Sequence, residues 1–290
     1  MTEVRFGALL EQSAERPQDV VDLAVLMEEL GYDVATLSDH PYWPERLDTI
    51  ALLSTMVART RRITVMPNLL NLPLRPPAMV ARTAATLDIL SGGRFELGLG
   101  TGAQQMWESI VAEGGPARTA GQSIEALEEA TQVIRALWTS EEDVEFQGRH
   151  YRLGGARPGP RPLHGIGIWF GAYQPRMLRV VGTIGDGWIP SSPFFPPEAL
   201  PGANRLIDEA AQAAGRSPEG IRRGYNIGGE FAAGSGFLQG PPALWAEQLA
   251  ELVLAGQIDT FFLYRAGSAD FLRRFAAEVA PAVRELVAKG

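Results

Sequence analysis

His40 is the residue of this chain best suited to moving a proton. It follows Asp39 at the end of the apolar run Val34 to Ser38 and precedes Pro41, Tyr42 and Trp43. A carboxylate beside an imidazole can orient or charge it, which is the setting of a general acid or base. A core histidine that merely satisfies a hydrogen bond is the plainer alternative. Position at the C-terminal end of a strand favours the catalytic reading. Tyr42 and Trp43 form either an apolar wall beside the imidazole or a cover over the mouth of the fold.

The remaining chemistry-bearing residues narrow the choice. There is no cysteine, which excludes disulfides, thiolate nucleophiles and iron–sulfur clusters. Only three histidines occur and none stands in a His-Glu-x-x-His pattern, so no metal site is expected. Redox chemistry would have to come from a bound organic cofactor. Walker A, G-x-S-x-G and Ser/His/Asp patterns are missing. Carboxylate pairs for glycoside hydrolysis stay open, with few strand-end acids beyond Asp39 and Asp186.

Two small-residue turns could hold a ligand. Gly98-Leu99-Gly100-Thr101-Gly102-Ala103 satisfies a dinucleotide fingerprint formally, but a polar loop follows where a Rossmann unit needs a helix at once. These glycines are read instead as letting backbone approach a ligand ring, with ordinary tight-turn use as the alternative. Gly171-Ala172-Tyr173-Gln174-Pro175-Arg176 feeds a helix whose exposed N–H groups suit a phosphate. Arg176 and Arg179 either add charge there or belong to a solvated helix face.

The elements that must position these residues alternate. Strands are predicted at Val4 to Leu10, Val34 to Ser38, Ile63 to Leu70, Phe95 to Leu99, Ile166 to Phe170, Gly187 to Pro190, Gly224 to Phe231 and Thr260 to Tyr264. Between them apolar residues recur at helical spacing, as in Val20, Leu23, Ala24, Met27 and Leu30, or Val80, Ala84, Leu87 and Leu90. Pro76 and Pro77 open the third helix and Gly92-Gly93 close it. Eight strand–helix alternations without a composition break predict an α/β fold: a single TIM (β/α)8 barrel domain over residues 1–290. An insertion follows the fourth strand, and a small hairpin at about 143–152 turns at Gly148, before a loop from Gly154 to Pro162. Chemistry in such a barrel gathers at the strand C-termini.

A formal net charge of −8 argues against nucleic-acid binding, while small anions need only a local cluster. The hydrophobic fraction of 46% suits a large core, and no uncharged apolar run is long enough to span a membrane. The N-terminus enters a strand-like run with no secretory h-region, so a cytoplasmic protein is expected.

With those residues in place, the chain resembles the luciferase-like superfamily of flavin- and deazaflavin-dependent oxidoreductases. The resemblance spans nearly the whole chain. It is most specific in Asn71-Leu72-Pro73-Leu74-Arg75-Pro76-Pro77 through Arg82 and in Ala84 through Gly100, with Gln147-Gly148-Arg149-His150-Tyr151 and Gly185-Asp186-Gly187-Trp188 in support. It implies a ring cofactor at the strand C-termini, a non-prolyl cis peptide at Asn68-Leu69 that props the ring, and a ring contact from Asn71. Ser38-Asp39-His40 resembles the deazaflavin branch, which implies coenzyme F420, with FMN as the alternative.

On that basis His40 would exchange a proton beside the hydride-accepting carbon and Asp39 would support the ring or the histidine. Gly100, Thr101 and Gly102 would lie against the ring. Gly171, Ala172, Tyr173 and Gln174 would surround the phosphate, and Tyr42, Trp43 and Trp107, with Phe194 and Phe195, would line a pocket for a small, uncharged or weakly polar organic substrate. One departure stands out. A glutamate of related dehydrogenases is Ala103 here, with Glu108 the nearest acid downstream. The expected function is hydride transfer between F420 and that substrate. The rivals are an FMN-dependent monooxygenase using reduced flavin and oxygen, and a barrel that only binds its ligand. The resemblance also allows a homodimer.

Overall fold

The computed structural model describes residues 3–232, 234, 236–264 and 268–290. Near-continuous apolar runs make strands buried on both faces, as a parallel sheet covered by helices requires. The strands are β1 (Arg5–Leu10), β2 (Val34–Leu37), β3 (Thr64–Pro67), β4 (Leu70–Asn71) and β5 (Leu97–Gly100). A hairpin, β6 (Val144–Gln147) and β7 (Arg152–Ala156), precedes β8 (Ile168–Phe170), β9 (Gly187–Trp188), β10 (Arg222–Ile227) and β11 (Thr260–Tyr264).

The sheet runs β3-β2-β1-β11-β10-β9-β8-β5-β4, all parallel. Its two ends are one strand. β3 and β4 are separated only by Asn68-Leu69, which is a cis peptide, so the strand that pairs with β2 through Pro67 pairs with β5 from Leu70 onward. An isolated parallel bridge between Val65 and Phe95 completes the seam. The result is the closed eight-stranded barrel expected from the alternation.

Outside it lie α1 (Asp19–Glu29), α2 (Thr49–Arg59), α3 (Pro77–Ser91), a short α4 (Trp107–Ala112), α5 (Ala120–Thr139), α6 (Pro175–Ile184), α7 (Leu200–Ala213), α8 (Pro242–Leu254), α9 (Ala269–Arg274) and α10 (Ala280–Lys289). Pro77 at the start of α3 and Gly92 in the left-handed conformation after it act as the sequence indicates. The α5 helix begins earlier than its first apolar residue suggests. Thr119 and Gln122 form a reciprocal capping box, which fixes the start by hydrogen bonds rather than by hydrophobic period. Among the described residues no helix is long and apolar enough to cross a membrane.

Other boundaries also move. The expected third strand is two segments, because the cis peptide interrupts it. The second hairpin strand reaches Ala156, so the predicted loop starts later than Gly154. The hairpin turns at Gly148 as expected, where the Gly148 N–H donates to the Tyr151 carbonyl at 3.0 Å, and Glu129 of α5 accepts the backbone N–H groups of Arg149, His150 and Tyr151. The seventh strand stops at Ile227, since Gly228 and Gly229 leave the sheet.

Inside the barrel, Val34, Met66, Trp169, Ile189 and Phe262 make one buried layer with the partly buried Leu69 packed against it. The larger core fills the space between strands and helices. The interior is therefore plugged, and ligands are confined to its ends.

Candidate active site

Leu37 and Pro67 are register partners in β2 and β3, and the backbone N–H of Asn68 donates to the carbonyl oxygen of Leu37 at 2.7 Å. The end of β2 that carries Ser38, Asp39 and His40 therefore lies beside the Asn68-Leu69 bulge. These are the features that the sequence marks most strongly, and folding brings them together.

The His40 ring stacks on Trp43 with centroids 4.3 Å apart. Its Nδ1 lies 2.8 Å from the hydroxyl of Tyr42. Arg46 sits over the other part of this wall, 4.4 Å from the Trp43 ring, and donates to Ser38 Oγ at 2.7 Å. Burial of the imidazole, reinforced by the Arg46 charge and opposed by Asp39, pulls the His40 pKa below its ordinary value. His40 is thus neutral at pH 7. Tyr42 moves the other way: burial and the nearby Asp39 charge raise its pKa, so it stays a phenol.

Asp39 does not do what adjacency suggests. Its side chain is 1% exposed and both oxygens are engaged away from His40: Arg75 donates from Nε and Nη2 at 2.8 Å each, and the Asn71 N–H donates at 2.8 Å. Successive side chains at a strand end point in opposite directions, so neighbours in sequence need not meet. Arg75 also binds Asp48, whose pKa burial alone would raise but which Arg75 and the Ala51 N–H hold low. Arg75 was visible in the sequence without a role, because nothing local signals a partner 36 residues away.

Asn68 and Asn71 flank the bulge and both are buried. Asn68 Nδ2 donates to Asn226 Oδ1 at 2.7 Å, and Asn226 Nδ2 donates to Ser191 Oγ at 3.1 Å. Asn226 and Ser191 were missed. A polar residue near the C-terminal end of the apolar run Gly224 to Ile227 was the available signal. Asn71 Oδ1 is buried without a hydrogen-bond partner among the described residues. An unsatisfied buried oxygen at this position fits a ring that brings its own N–H.

The glycines serve the bulge more than a ligand. A Cβ on Gly98 would stand 2.2 Å from the Pro67 carbonyl oxygen and 2.8 Å from Leu69 Cδ2. Gly100 and Gly171 also face Leu69. Gly102 has φ +83° and packs against Pro73 and Ile110, so the tight-turn alternative describes it. Thr101 lies half-buried between them. Ala103 precedes a short turn into α4, which Trp107 opens; Glu108 is exposed there.

At the end of β8, Ala172 is buried, while Tyr173 and Gln174 are exposed. Gln174 caps α6 with no side-chain hydrogen bond, leaving the first-turn N–H groups for an anion. Arg176 turns to Glu125 at 3.6 Å, in keeping with the solvated-face alternative. Tyr173, Phe194 and Phe195 cluster, with centroids 6.3 and 6.2 Å from Tyr173.

A cavity of about 590 Å³ opens at the C-terminal ends of β1, β10 and β11, lined by Glu11, Glu230, Gln239, Tyr264, Ser268 and Phe271 with Gly228 and Gly229. Tyr42, Trp43, Trp107, Phe194 and Phe195 are not among these lining residues, which include two carboxylates and the rings of Tyr264 and Phe271. Tyr42 and Trp43 lie beyond β2, Phe194 and Phe195 beyond β9, and α4 carries Trp107 on the excursion after β5.

A closed parallel barrel whose histidine, buried amides and anion-ready helix terminus all gather at the strand C-termini defines an α/β-barrel of the ligand-binding, active-site-at-the-mouth class. The luciferase-like monooxygenase family model matches residues 1–229, and the chain belongs to that family. It is 34% identical over 263 residues to an F420-dependent glucose-6-phosphate dehydrogenase of Nocardia farcinica (strain IFM 10152), covering 85% of this chain and 76% of the relative. A protein of the same description from Mycolicibacterium fortuitum is 31% identical over 238 residues, covering 78% and 69%. The solved structure of an F420-dependent secondary alcohol dehydrogenase in complex with an F420-acetone adduct superposes with TM-score 0.82 over 97% of this chain and 99% of that one, at 19% identity, a likeness of fold.

Proposed function

We propose that this chain is an oxidoreductase that transfers a hydride between coenzyme F420 and a small organic substrate. The observation that carries this reading is His40 just beyond the end of β2, where that end meets the Asn68-Leu69 bulge, with Leu69 on top of the filled interior. Descent from the same family as F420-dependent dehydrogenases supports the choice of cofactor. When bound, F420 supplies a ring carbon that accepts or donates the hydride.

The chain's own contribution is placement and proton handling. Leu69 and the flanking amides of Asn68 and Asn71 would hold one face and edge of the ring. Ala172 to Gln174 and the start of α6 would hold the phosphate. His40, neutral at pH 7, would take the proton from a substrate hydroxyl as the carbon–hydrogen electron pair departs, and return it in the opposite direction.

The substrate is an alcohol or carbonyl compound without a strong negative charge. Glu11 and Glu230 in the cavity support this, since an anionic phosphate would meet like charge there. His40→Ala tests the assignment. Turnover of F420 with a panel of alcohols should fall by roughly 10²–10⁴-fold while F420 affinity stays within about threefold. Turnover that survives the substitution contradicts the role of His40.

A further inference from the structure

We propose that Tyr42, not a carboxylate, is the positioning residue of His40: its hydroxyl accepts the Nδ1–H of the imidazole and so presents Nε2 to the substrate. The inference rests on the hydride-transfer reading for its chemistry and on geometry for its structure. Asp39, the acid adjacent in sequence, has both oxygens taken by Arg75 and the Asn71 N–H. Ala103 offers no polar group, and Glu108 is exposed on α4. Among the described residues the hydrogen bond that His40 makes through a ring nitrogen is the one to Tyr42, at 2.8 Å. Stacking on Trp43 fixes the ring plane but leaves rotation within that plane to a hydrogen bond. Two neighbouring aromatics thus divide the work: Trp43 sets the plane, and Tyr42 sets which nitrogen faces the site.

A phenol differs from a carboxylate in one consequential way. It accepts the Nδ1–H bond in both the neutral ring and the imidazolium, but brings no negative charge to stabilise the latter. As a substrate alcohol is oxidised, its O–H bond breaks and Nε2–H forms. The carbonyl would form as the carbon–hydrogen bond breaks and its electron pair passes to the hydride acceptor that bound F420 would supply, leaving His40 as imidazolium with Nδ1–H still on Tyr42. The charged and titratable groups around the ring are Arg46, which disfavours imidazolium, Asp39, which weakly favours it, and Tyr42, which remains neutral. The base form therefore prevails through neutral pH.

Nitrogen-15 NMR of the imidazole in cofactor-free protein tests this independently of any turnover. The expected result is a single neutral tautomer protonated at Nδ1, with an ionisation below that of an ordinary histidine. Tyr42→Phe should mix the tautomers, lower kcat for alcohol oxidation by about tenfold to a hundredfold with KM nearly unchanged, and move the acid limb of the pH profile. That loss is smaller than removal of the base itself, about 10²–10⁴-fold. An Nε2-protonated or already mixed tautomer in the unaltered protein overturns the proposal, and this measurement stands even if the variant does not fold. Tautomer and pH profile unchanged in Tyr42→Phe overturn it equally. A fixed Nδ1–H tautomer without F420 turnover would leave the positioning role in place and reject only the hydride-transfer reading.

Discussion

At Asp39 one carboxylate ties the end of β2 to β4 through the Asn71 N–H and to Arg75, which reaches on to Asp48 before α2. The pair with Arg75 is bidentate and nearly dry on the Asp39 side. Loss of one partner in such a pair typically costs about 3–5 kcal/mol. Asp39→Asn keeps the shape but turns an N–H toward Arg75, and is expected to lower unfolding free energy by about 3 kcal/mol in urea titration. A loss under about 1 kcal/mol would show that Asp39 is not a strut. In the sequence, Asp39 and His40 were both conspicuous, yet their relation was not. Adjacent residues at a strand end diverge, whereas Arg75 and Tyr42 reach them through a turn that spacing does not reveal. Tyr42 was read as wall or cover, and its hydrogen bond to Nδ1 depends on a loop path that no period encodes.

The bulge between β3 and β4 is the element on which the site is built. It turns one strand into two pairing segments, lifts Leu69 onto the interior layer, and sets Asn68 and Asn71 on either side. Gly98 on β5 makes room for it. Adding one methyl there drives Cβ into the Pro67 carbonyl, a backbone atom that cannot swing aside. Overpacking commonly costs about 1–3 kcal/mol. Gly98→Ala is expected at or above the top of that range, seen as a lowered Tm, together with weakened F420 binding. An unchanged Tm would mean that the bulge accommodates the methyl. Strand and helix order was legible because apolar runs and helical spacing alternate cleanly. The interruption of the third strand was not legible from periodicity, since Ile63 to Leu70 reads as one strand; only the resemblance marked Asn68-Leu69. The glycines of β5 show the converse: their positions were plain, but their purpose depended on Leu69 of the adjoining strand.

Across the whole molecule, barrel closure makes strand C-termini from distant parts of the chain into one rim. His40, the bulge amides, Asn226 and the β8–α6 turn share that rim, and a filled interior keeps ligands there. The rim has two characters. Around β2 and β4 it offers an imidazole, an unsatisfied amide oxygen and aromatic surface; around β1, β10 and β11 it offers a cavity with two carboxylates. A ring on the first side and an uncharged or weakly polar substrate reaching toward the second is the arrangement this predicts. The central claim is that the ring belongs to F420. Purified apoprotein titrated in parallel with F420 and FMN, with binding followed by ligand fluorescence, should show saturable F420 binding at far lower concentration than any FMN binding; tight FMN binding with no F420 binding would contradict the account.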